Sequence, residues 1–479
     1  KLLFFVAETM EEETESLDEA LVLYRSYYED PDSQEDLISV ITDELNYVIK
    51  PDLTFTALVD RVNEGTFQLE DLAQGFRDIE QSDDLYENLF EDIDLYSKKL
   101  GATPQKQNQT VAAVMKELAV LDVAGHAGDM LGDAYEYLIG QFATDSGKKA
   151  GEFYTPQPVA KLMTQIAFLG REDKQGFTLY DATMGSGSLL LNAKRYSRQP
   201  QTVVYFGQEL NTSTYNLARM NMILHGVPVD DFSIAHGDTL IDPKHRGGAG
   251  GDFEEPFGAI VSNPPYSTKW KGDDDPTLIH DDRYAPAAVL APKSKADLAF
   301  TMHMLASLDE AGTAAIVEFP GVLYRGGAER KIREYLLKQN VVDAVIQLPS
   351  NLFYGTSIAT CILVLKKGRR KDHSVLFVDA SQLFDKGTNQ NILGKVHREK
   401  ILDALAAREE REHFSALVPV EKLLEQEANL AVSSWVEPED TRERVDIVEL
   451  NSRIEGIVAR QAQLRVEIDA IVARLEGGE

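Results

Sequence analysis

Asn263-Pro264-Pro265-Tyr266 follows directly on an apolar run, Phe257, Ala259, Ile260 and Val261, that reads as a buried strand. A turn of this composition answers a specific chemical problem. A planar exocyclic amine, such as the N6 of adenine, is a poor nucleophile because its lone pair is delocalised into the ring. The side-chain oxygen of Asn263 and the carbonyl of Pro264 can each accept one amine hydrogen, favouring a pyramidal nitrogen whose lone pair points at an electrophile. The two prolines fix φ and hold those acceptors, and Tyr266 offers a face on which an extruded base can stack. In isolation, four such residues are more often a proline-rich turn that closes a strand. The surrounding sequence therefore decides.

Upstream, Thr178-Leu179-Tyr180 runs into Asp181-Ala182-Thr183-Met184-Gly185-Ser186-Gly187-Ser188 and then Leu189-Leu190-Leu191, a pattern of strand, tight glycine turn and helix. Gly185 and Gly187 remove side chains where a ligand must approach backbone N–H groups, and Asp181 ends the strand within reach of a cationic or hydroxyl-bearing ligand. A second strand, Val203 to Glu209, also ends in an acid, as a group that takes both hydroxyls of a ribose must. A third, Phe232 to Asp238, ends in Gly237-Asp238. Three strands with polar C-terminal ends describe a nucleoside-binding crevice in an open parallel sheet. Asp238 as the cap of a following turn, and Leu189 to Leu191 as an ordinary core helix, are the plainer alternatives.

In this order the motifs resemble amino-methyltransferases that act on DNA with S-adenosylmethionine, and in particular the modification subunit of type I restriction-modification systems. The likeness covers nearly the whole chain, including Gly151-Glu152-Phe153-Tyr154-Thr155-Pro156-Gln157-Pro158 before the first strand and Ala380-Ser381 to Asn389-Gln390-Asn391 after the sheet. It implies an α/β, Rossmann-like S-adenosylmethionine-dependent methyltransferase domain, with an N-terminal helical domain and a C-terminal coiled-coil helix. It implies N6-adenine methylation of DNA, with Asn263, Pro264, Pro265 and Tyr266 as catalytic residues. The cofactor residues implied are Glu152, Phe153, Tyr154, Thr155, Pro156 and Gln157, then Asp181, Thr183, Met184, Gly185, Ser186, Gly187 and Ser188. Glu209 would hold the ribose and Asp238 the adenine. Phe353 sits where the family often places a second aromatic beside the flipped base, though phenylalanine is more often core. The partners implied are DNA, a separate specificity subunit that reads the sequence, a second copy of this chain and a restriction (translocase/nuclease) subunit. Release-factor glutamine methyltransferases share Asn-Pro-Pro-Tyr, but should lack the Phe153-Tyr154-Thr155-Pro156 segment. A non-catalytic scaffold would have no need of Asn263, Glu209 or the glycine turn.

The predicted reaction is an in-line displacement on a sulfonium methyl carbon, for which no metal ion or covalent intermediate is required. The sole cysteine, Cys361, lies in the apolar run Ala359 to Leu365 and reads as core. With 479 residues, 43% of them hydrophobic, the chain supports two or three folded domains. No apolar run reaches membrane-spanning length, and Lys1 to Ala7 lacks a signal-peptide pattern, so a cytoplasmic protein is expected. The chain opens without Met in the middle of an apolar pattern, and a first helix or two is expected to precede it. The net charge of −31 opposes DNA on average. Either a local basic strip (Lys366 to Lys371, or Lys269 to Lys271) or a partner must supply phosphate contacts, and the resemblance favours the partner.

The elements that position these residues divide the chain into an N-terminal helical domain (1–145), a methyltransferase domain (146–400) and a C-terminal helical, coiled-coil assembly region (401–479). Later strands are expected at Thr313 to Glu318, Val341 to Leu348 and Thr360 to Leu365, with a helix at Glu329 to Lys338. The polar segment from Ser267 to Ala296 reads as a lid that is poorly ordered without DNA. From Leu450 the apolar positions Leu450, Ile454, Ile457, Leu464, Ile468, Ile471 and Leu475 follow a four-three spacing, interrupted once by Gln461. That is a heptad seam suited to an intermolecular coiled coil, on which the specificity subunit is expected to dock.

Overall fold

The computed structural model describes residues 2–10, 14, 16–121, 130–145, 154–245, 256–353, 356–368, 373–439 and 447–476. They fall into two units, Lys1–Val436 and Glu437–Glu479.

Among the described residues, the first unit has eleven strands: β1 (Thr178–Asp181), β2 (Val204–Glu209), β3 (Phe232–His236), β4 (Phe257–Ser262), β5 (Leu308–Glu318), β6 (Val342–Gln347), β7 (Cys361–Lys366), β8 (Ser374–Asp379), β9 (Asp385–Lys386), β10 (Asn391–Ile392) and β11 (Ser415–Pro419). Nine form one sheet in the order β11-β8-β6-β7-β5-β4-β1-β2-β3, and β9 and β10 pair separately. β1 to β5 run parallel, whereas β7 is antiparallel to both of its neighbours. The chain leaves β1 towards β2 and β3 on one side, then returns to place β4 and β5 on the other. The reversal opens a crevice beyond the C-terminal ends of β1 and β4, where the sequence puts Asp181 and Asn263.

Every residue of β4 is buried, because helices and loops cover both faces of a central parallel strand. Alternate residues feed two cores. Tyr180, Phe257 and Ile260 join one, and Leu179, Ala259 and Val261 join the other with Val159, Leu162 and Met163 of the helix Gln157–Phe168. Cys361 lies in β7 with its thiol donating to the Glu318 carbonyl at 3.3 Å, and burial pushes that thiol well above its usual range. The expected later strands and the helix Gly327–Lys338 are present to within a few residues, except that β5 begins at Leu308.

Two expectations are corrected. The segment from Ser267 to Ala296 is ordered. It contains the short turns Gly272–Asp274, Leu278–His280 and Ala285–Ala287, and buries Tyr284, Leu278 and Arg283. Its polar composition hid this because its anchors are long-range, with Arg283 reaching Thr239 and Leu240. The boundary placed after residue 400 falls inside the helix Lys395–Ala407. β11 pairs antiparallel with β8, and Trp435 stacks on Phe377 at 5.9 Å, so the sheet unit continues to Val436.

The N-terminal helices, from Leu2–Thr9 to Pro104–Ala119, carry small cores of their own. Side-chain caps start several of them, as when Ser16 accepts from the Glu19 amide at 3.2 Å. Arg219, on the helix Thr212–Leu224 that follows β2, ties this region to the sheet by donating to the carbonyls of Glu87 (2.9 Å) and Leu85. Among the described residues, the second unit contains one helix, Ile447–Glu476, on which Leu450, Ile454, Ile457, Leu464, Ile468, Ile471 and Leu475 are all exposed. No described helix is long and apolar enough to cross a membrane.

Three strands bury carboxyl groups. Asp343 on β6 is matched by Arg408 at 2.6 Å and Lys366 at 3.0 Å. Asp181 and Glu318 have hydroxyl donors but no cation among their hydrogen-bond partners. Burial raises Asp181 to about 7 and Glu318 to about 8. Each therefore holds its proton in the folded chain at pH values where the unfolded chain has released it, and stability must fall as pH rises through that window. For Asp181 the window runs from its ordinary value of 3.8 to about 7. We expect Asp181→Asn to flatten the decline in urea midpoint between about pH 4 and pH 7, leaving the part that extends to about pH 8 to Glu318. Parallel curves for variant and wild type would show that Asp181 does not titrate in this way.

Candidate active site and cofactor crevice

Asp181 ends β1 with no exposed surface. Its Oδ1 accepts from the Thr183 amide at 3.0 Å and from Ser262 Oγ at 2.6 Å, and Thr183 Oγ1 lies 2.8 Å from the same Ser262 hydroxyl. Its Oδ2 has no partner among the described residues. The glycine turn follows with φ of +54° at Gly185 and +79° at Gly187, which favour glycine. A Cβ on Gly187 would also stand 3.3 Å from Met222 Cε, so this residue lets the helix Thr212–Leu224 pack close. Ser188 starts the short helix Ser188–Leu191, with its Oγ 3.1 Å from that of Ser186.

Glu209, at the end of β2, accepts from the Gly185 amide at 3.1 Å and the Asn211 amide at 2.8 Å, and burial raises its pKa. The glycine turn and the second-strand acid are thus bonded to each other. Gly207 makes this possible, because a Cβ there would meet Met184 Sδ at 2.5 Å. A glycine two residues before a strand-end acid was the available signal, and the motif reading passed over it. Asp238 follows β3, and its Oδ1 caps the Leu240 amide at 2.9 Å. Thr239 Oγ1 donates to the Ala182 carbonyl at 2.7 Å, which brings this turn beside β1.

Asn263 is 8% exposed. Its Nδ2 donates to Thr155 Oγ1 at 3.1 Å, and its Oδ1 accepts the Tyr266 hydroxyl at 2.8 Å. The carboxamide is therefore held at both ends, with one lone pair of Oδ1 left over. Tyr266 thus carries a hydrogen bond that the sequence reading, which gave it a stacking face, did not anticipate. Burial raises its pKa well above the ordinary phenol value. After the turn, Ser267 adopts φ +50°, and its amide donates to Asp297 Oδ1 at 2.9 Å.

Two spaces meet here. A narrow one is lined by Tyr154, Thr155, Thr183 to Ser186, Ser188, Leu189 and Asn263. A cavity of about 640 Å³ is lined by Thr183, Glu209, Asn211, Asp238, Thr239, Pro265, Trp270 and Phe300 among others. Asn211, Thr239, Trp270 and Phe300 were not singled out from sequence, because only tertiary folding brings them to the crevice. The donor set fits a nucleoside carrying a cationic tail. Glu209 can accept from hydroxyls, Trp270 and Phe300 give the cavity an aromatic wall that suits a purine, and Asp181 Oδ2 is unpartnered among the described residues beside the glycine turn. Among the described residues no group of three His, Cys, Asp or Glu side chains is placed to hold a metal ion.

The remaining sequence-predicted residues are only partly assembled. Glu152 and Phe153 lie outside the described residues. Tyr154 is buried against Gly140, Pro156 precedes the helix Gln157–Phe168, and Gln157 bonds Glu136 at 2.8 Å and Asn192 at 3.2 Å. Pro264 is buried between Asn263 and Pro265. Phe353 is 1% exposed, packs with Leu352 and Leu393, and lies along a cavity that Tyr154 and Asn351 also line. Of the basic strip, Lys366 pairs with Asp343, Lys367 donates to the Leu308 carbonyl at 2.6 Å, and Arg369 to Lys371 lie outside the described residues.

Residues 126–444 match the family model for N-6 DNA methylases. The type I restriction enzyme MpnII methylase subunit of Mycoplasma pneumoniae is 41% identical over 446 residues, covering 89% of this chain and 81% of that protein. The MjaVIII methylase subunit of Methanocaldococcus jannaschii is 31% identical over 67% of this chain, which spans 56% of that longer relative. Among solved structures, the type I restriction-modification methyltransferase subunit from Streptococcus thermophilus superposes with a TM-score of 0.86 at 66% identity, over 91% of each chain. With the crevice at the strand-order reversal and the Asn-Pro-Pro-Tyr turn at its mouth, these likenesses place the chain in the N-6 DNA methylase family, among the methylase subunits of type I restriction-modification systems.

Proposed function

We propose that this chain transfers the methyl group of S-adenosylmethionine to the N6 of an adenine in DNA, at a site read by a partner subunit. The observation that carries the reading is that Asn263 and the glycine turn Thr183 to Ser186 line the same narrow space, so an amine held at one lies beside a ligand held at the other. S-adenosylmethionine supplies, when bound, a methyl group on a positively charged sulfur. The chain's own residues do the rest. Glu209 takes the ribose hydroxyls, Asp238 and Phe300 border the adenine, and Asp181 to Ser188 with Tyr154 and Thr155 surround the methionine half. Asn263 Oδ1 and the Pro264 carbonyl accept the two amine hydrogens of the target. Thr155 and Tyr266 fix the plane of the Asn263 carboxamide, so its free lone pair is aimed before the base arrives.

These roles separate in two variants. Asn263→Ala should lose roughly 3 kcal/mol of transition-state stabilisation, about a hundredfold in rate, and still bind cofactor. Tyr266→Phe keeps the ring and loses only the hydroxyl, and should slow transfer by about tenfold. Single-turnover methylation and equilibrium cofactor binding measure both. Loss of cofactor affinity in Asn263→Ala would contradict the assignment of Asn263 to the amine.

We further propose that the helix Ile447–Glu476 docks on the specificity subunit, in a complex that also holds DNA, a second copy of this chain and a restriction subunit. Its apolar seam is exposed, and a chain of net charge −31 gains little by meeting DNA unaided. Ile457→Asp with Leu464→Asp would place carboxylates on the seam, at a cost of several kcal/mol of association. The double variant should bind cofactor normally, fail to co-purify with the specificity subunit and leave DNA unmethylated in its presence. Wild-type assembly and methylation by this variant would remove the helix from the interface.

A further inference from the structure

The segment that follows the Asn-Pro-Pro-Tyr turn forms part of the wall of the 640 Å³ cavity, where Pro265, Thr268, Lys269 and Trp270 share the lining with Glu209 and Asp238. One guanidinium fastens it there. Arg283 is 4% exposed. It pairs with Asp281 at 2.8 Å, donates to the carbonyls of Thr239 and Leu240 at 2.9 Å each, and reaches Nδ1 of His303 at 3.1 Å. The other ring nitrogen of His303 lies 2.9 Å from the hydroxyl of Tyr180, the residue before Asp181. Because an arginine only donates, Nδ1 must accept, which makes the neutral tautomer a donor towards Tyr180.

Trp270 depends on this arrangement. Its amide donates to the Lys293 carbonyl at 3.0 Å and its Nε1 to the Pro292 carbonyl at 3.2 Å. Its ring packs edge-on against Tyr284 at 5.4 Å. Tyr284 lies 4.7 Å beneath the Arg283 guanidinium, and its hydroxyl donates to the Leu240 carbonyl at 3.1 Å. Burying a guanidinium is costly unless its donors are matched. Here they are matched by the backbone of the turn that follows Asp238.

We propose that Trp270 is a further binding residue for the purine of the cofactor, and that Arg283 is the positioning residue that holds Trp270 in place by clasping the 267–296 segment to the Asp238–Leu240 turn. The proposal rests on the cofactor reading given above and adds to it a wall contributed from the target-base side. An aromatic face beside Asp238 suits a purine ring. Because Arg283 grips the turn and not the ligand, its loss should act on cofactor affinity more than on the chemical step.

Trp435, packed on Phe377, is the other of the two tryptophans, so Trp435→Phe leaves Trp270 as the only indole. In that chain, titration with S-adenosylmethionine should change the fluorescence of Trp270 saturably, with the Kd that calorimetry gives. Arg283→Gln should raise that Kd by about tenfold or more. It should raise the cofactor KM by more than it lowers kcat, and Arg283→Lys should recover part of the loss. Calorimetric binding without a change at Trp270 would overturn the wall while the cofactor reading stands, whereas no calorimetric binding would overturn that reading itself. Wild-type affinity in Arg283→Gln would overturn the positioning role. Should Arg283→Gln fail to fold, Trp270→Ala, at a partly buried ring, tests the wall directly, with a weaker Kd expected and an unchanged one contradicting it.

Discussion

The 2.6 Å hydrogen bond from Ser262 Oγ to Asp181 Oδ1 joins the ends of the two strands between which the sheet order reverses. On one side of it stands the glycine turn, whose first amide is taken by the same carboxylate oxygen. On the other stands Asn263, the residue after Ser262. A buried carboxyl with two donors therefore links the glycine turn to the Asn-Pro-Pro-Tyr turn. Burial raises that carboxyl to about 7, and the two hydrogen bonds favour its ionised form. A positively charged ligand beside it would act in the same direction.

Around that bond the site is built by pairwise restraint. Glu209 holds Gly185, Thr155 and Tyr266 hold the Asn263 carboxamide, and Asp297 holds the backbone just past the turn. Each fixes a polar group before any ligand arrives, and such preorganisation lowers a barrier without rearrangement at the moment of reaction. The charge of the whole chain works differently. At −31 it repels a polyanion, and the first lysines of the basic run at 366–371 are tied to Asp343 and to the Leu308 carbonyl.

Local pattern made the strands, the glycine turn and the position of Asn263 legible in the sequence. The apolar run Phe257 to Val261 read as a buried strand, and the acids ending β1 and β2 read as strand ends at the crevice of an open sheet, where the structure places both. What escaped was non-local. The order of Ser267 to Ala296 depends on Arg283 reaching Thr239, 44 residues away. β11 is short, ends in proline and pairs with a strand whose first partner, Ser374, lies 45 positions before Pro419. Phe353 was open to both readings in the sequence, and packing leaves its ring 1% exposed at the edge of a cavity.

The coupling of the two turns can be measured by a double-mutant cycle of Asp181→Asn and Ser262→Ala, read as kcat/KM for methylation of a cognate duplex by the chain assembled with its specificity subunit. If the bond carries the site, the two substitutions are non-additive, with a coupling energy of roughly 1 to 3 kcal/mol. Additivity to within about 0.5 kcal/mol would show that the glycine turn and the Asn-Pro-Pro-Tyr turn are positioned independently.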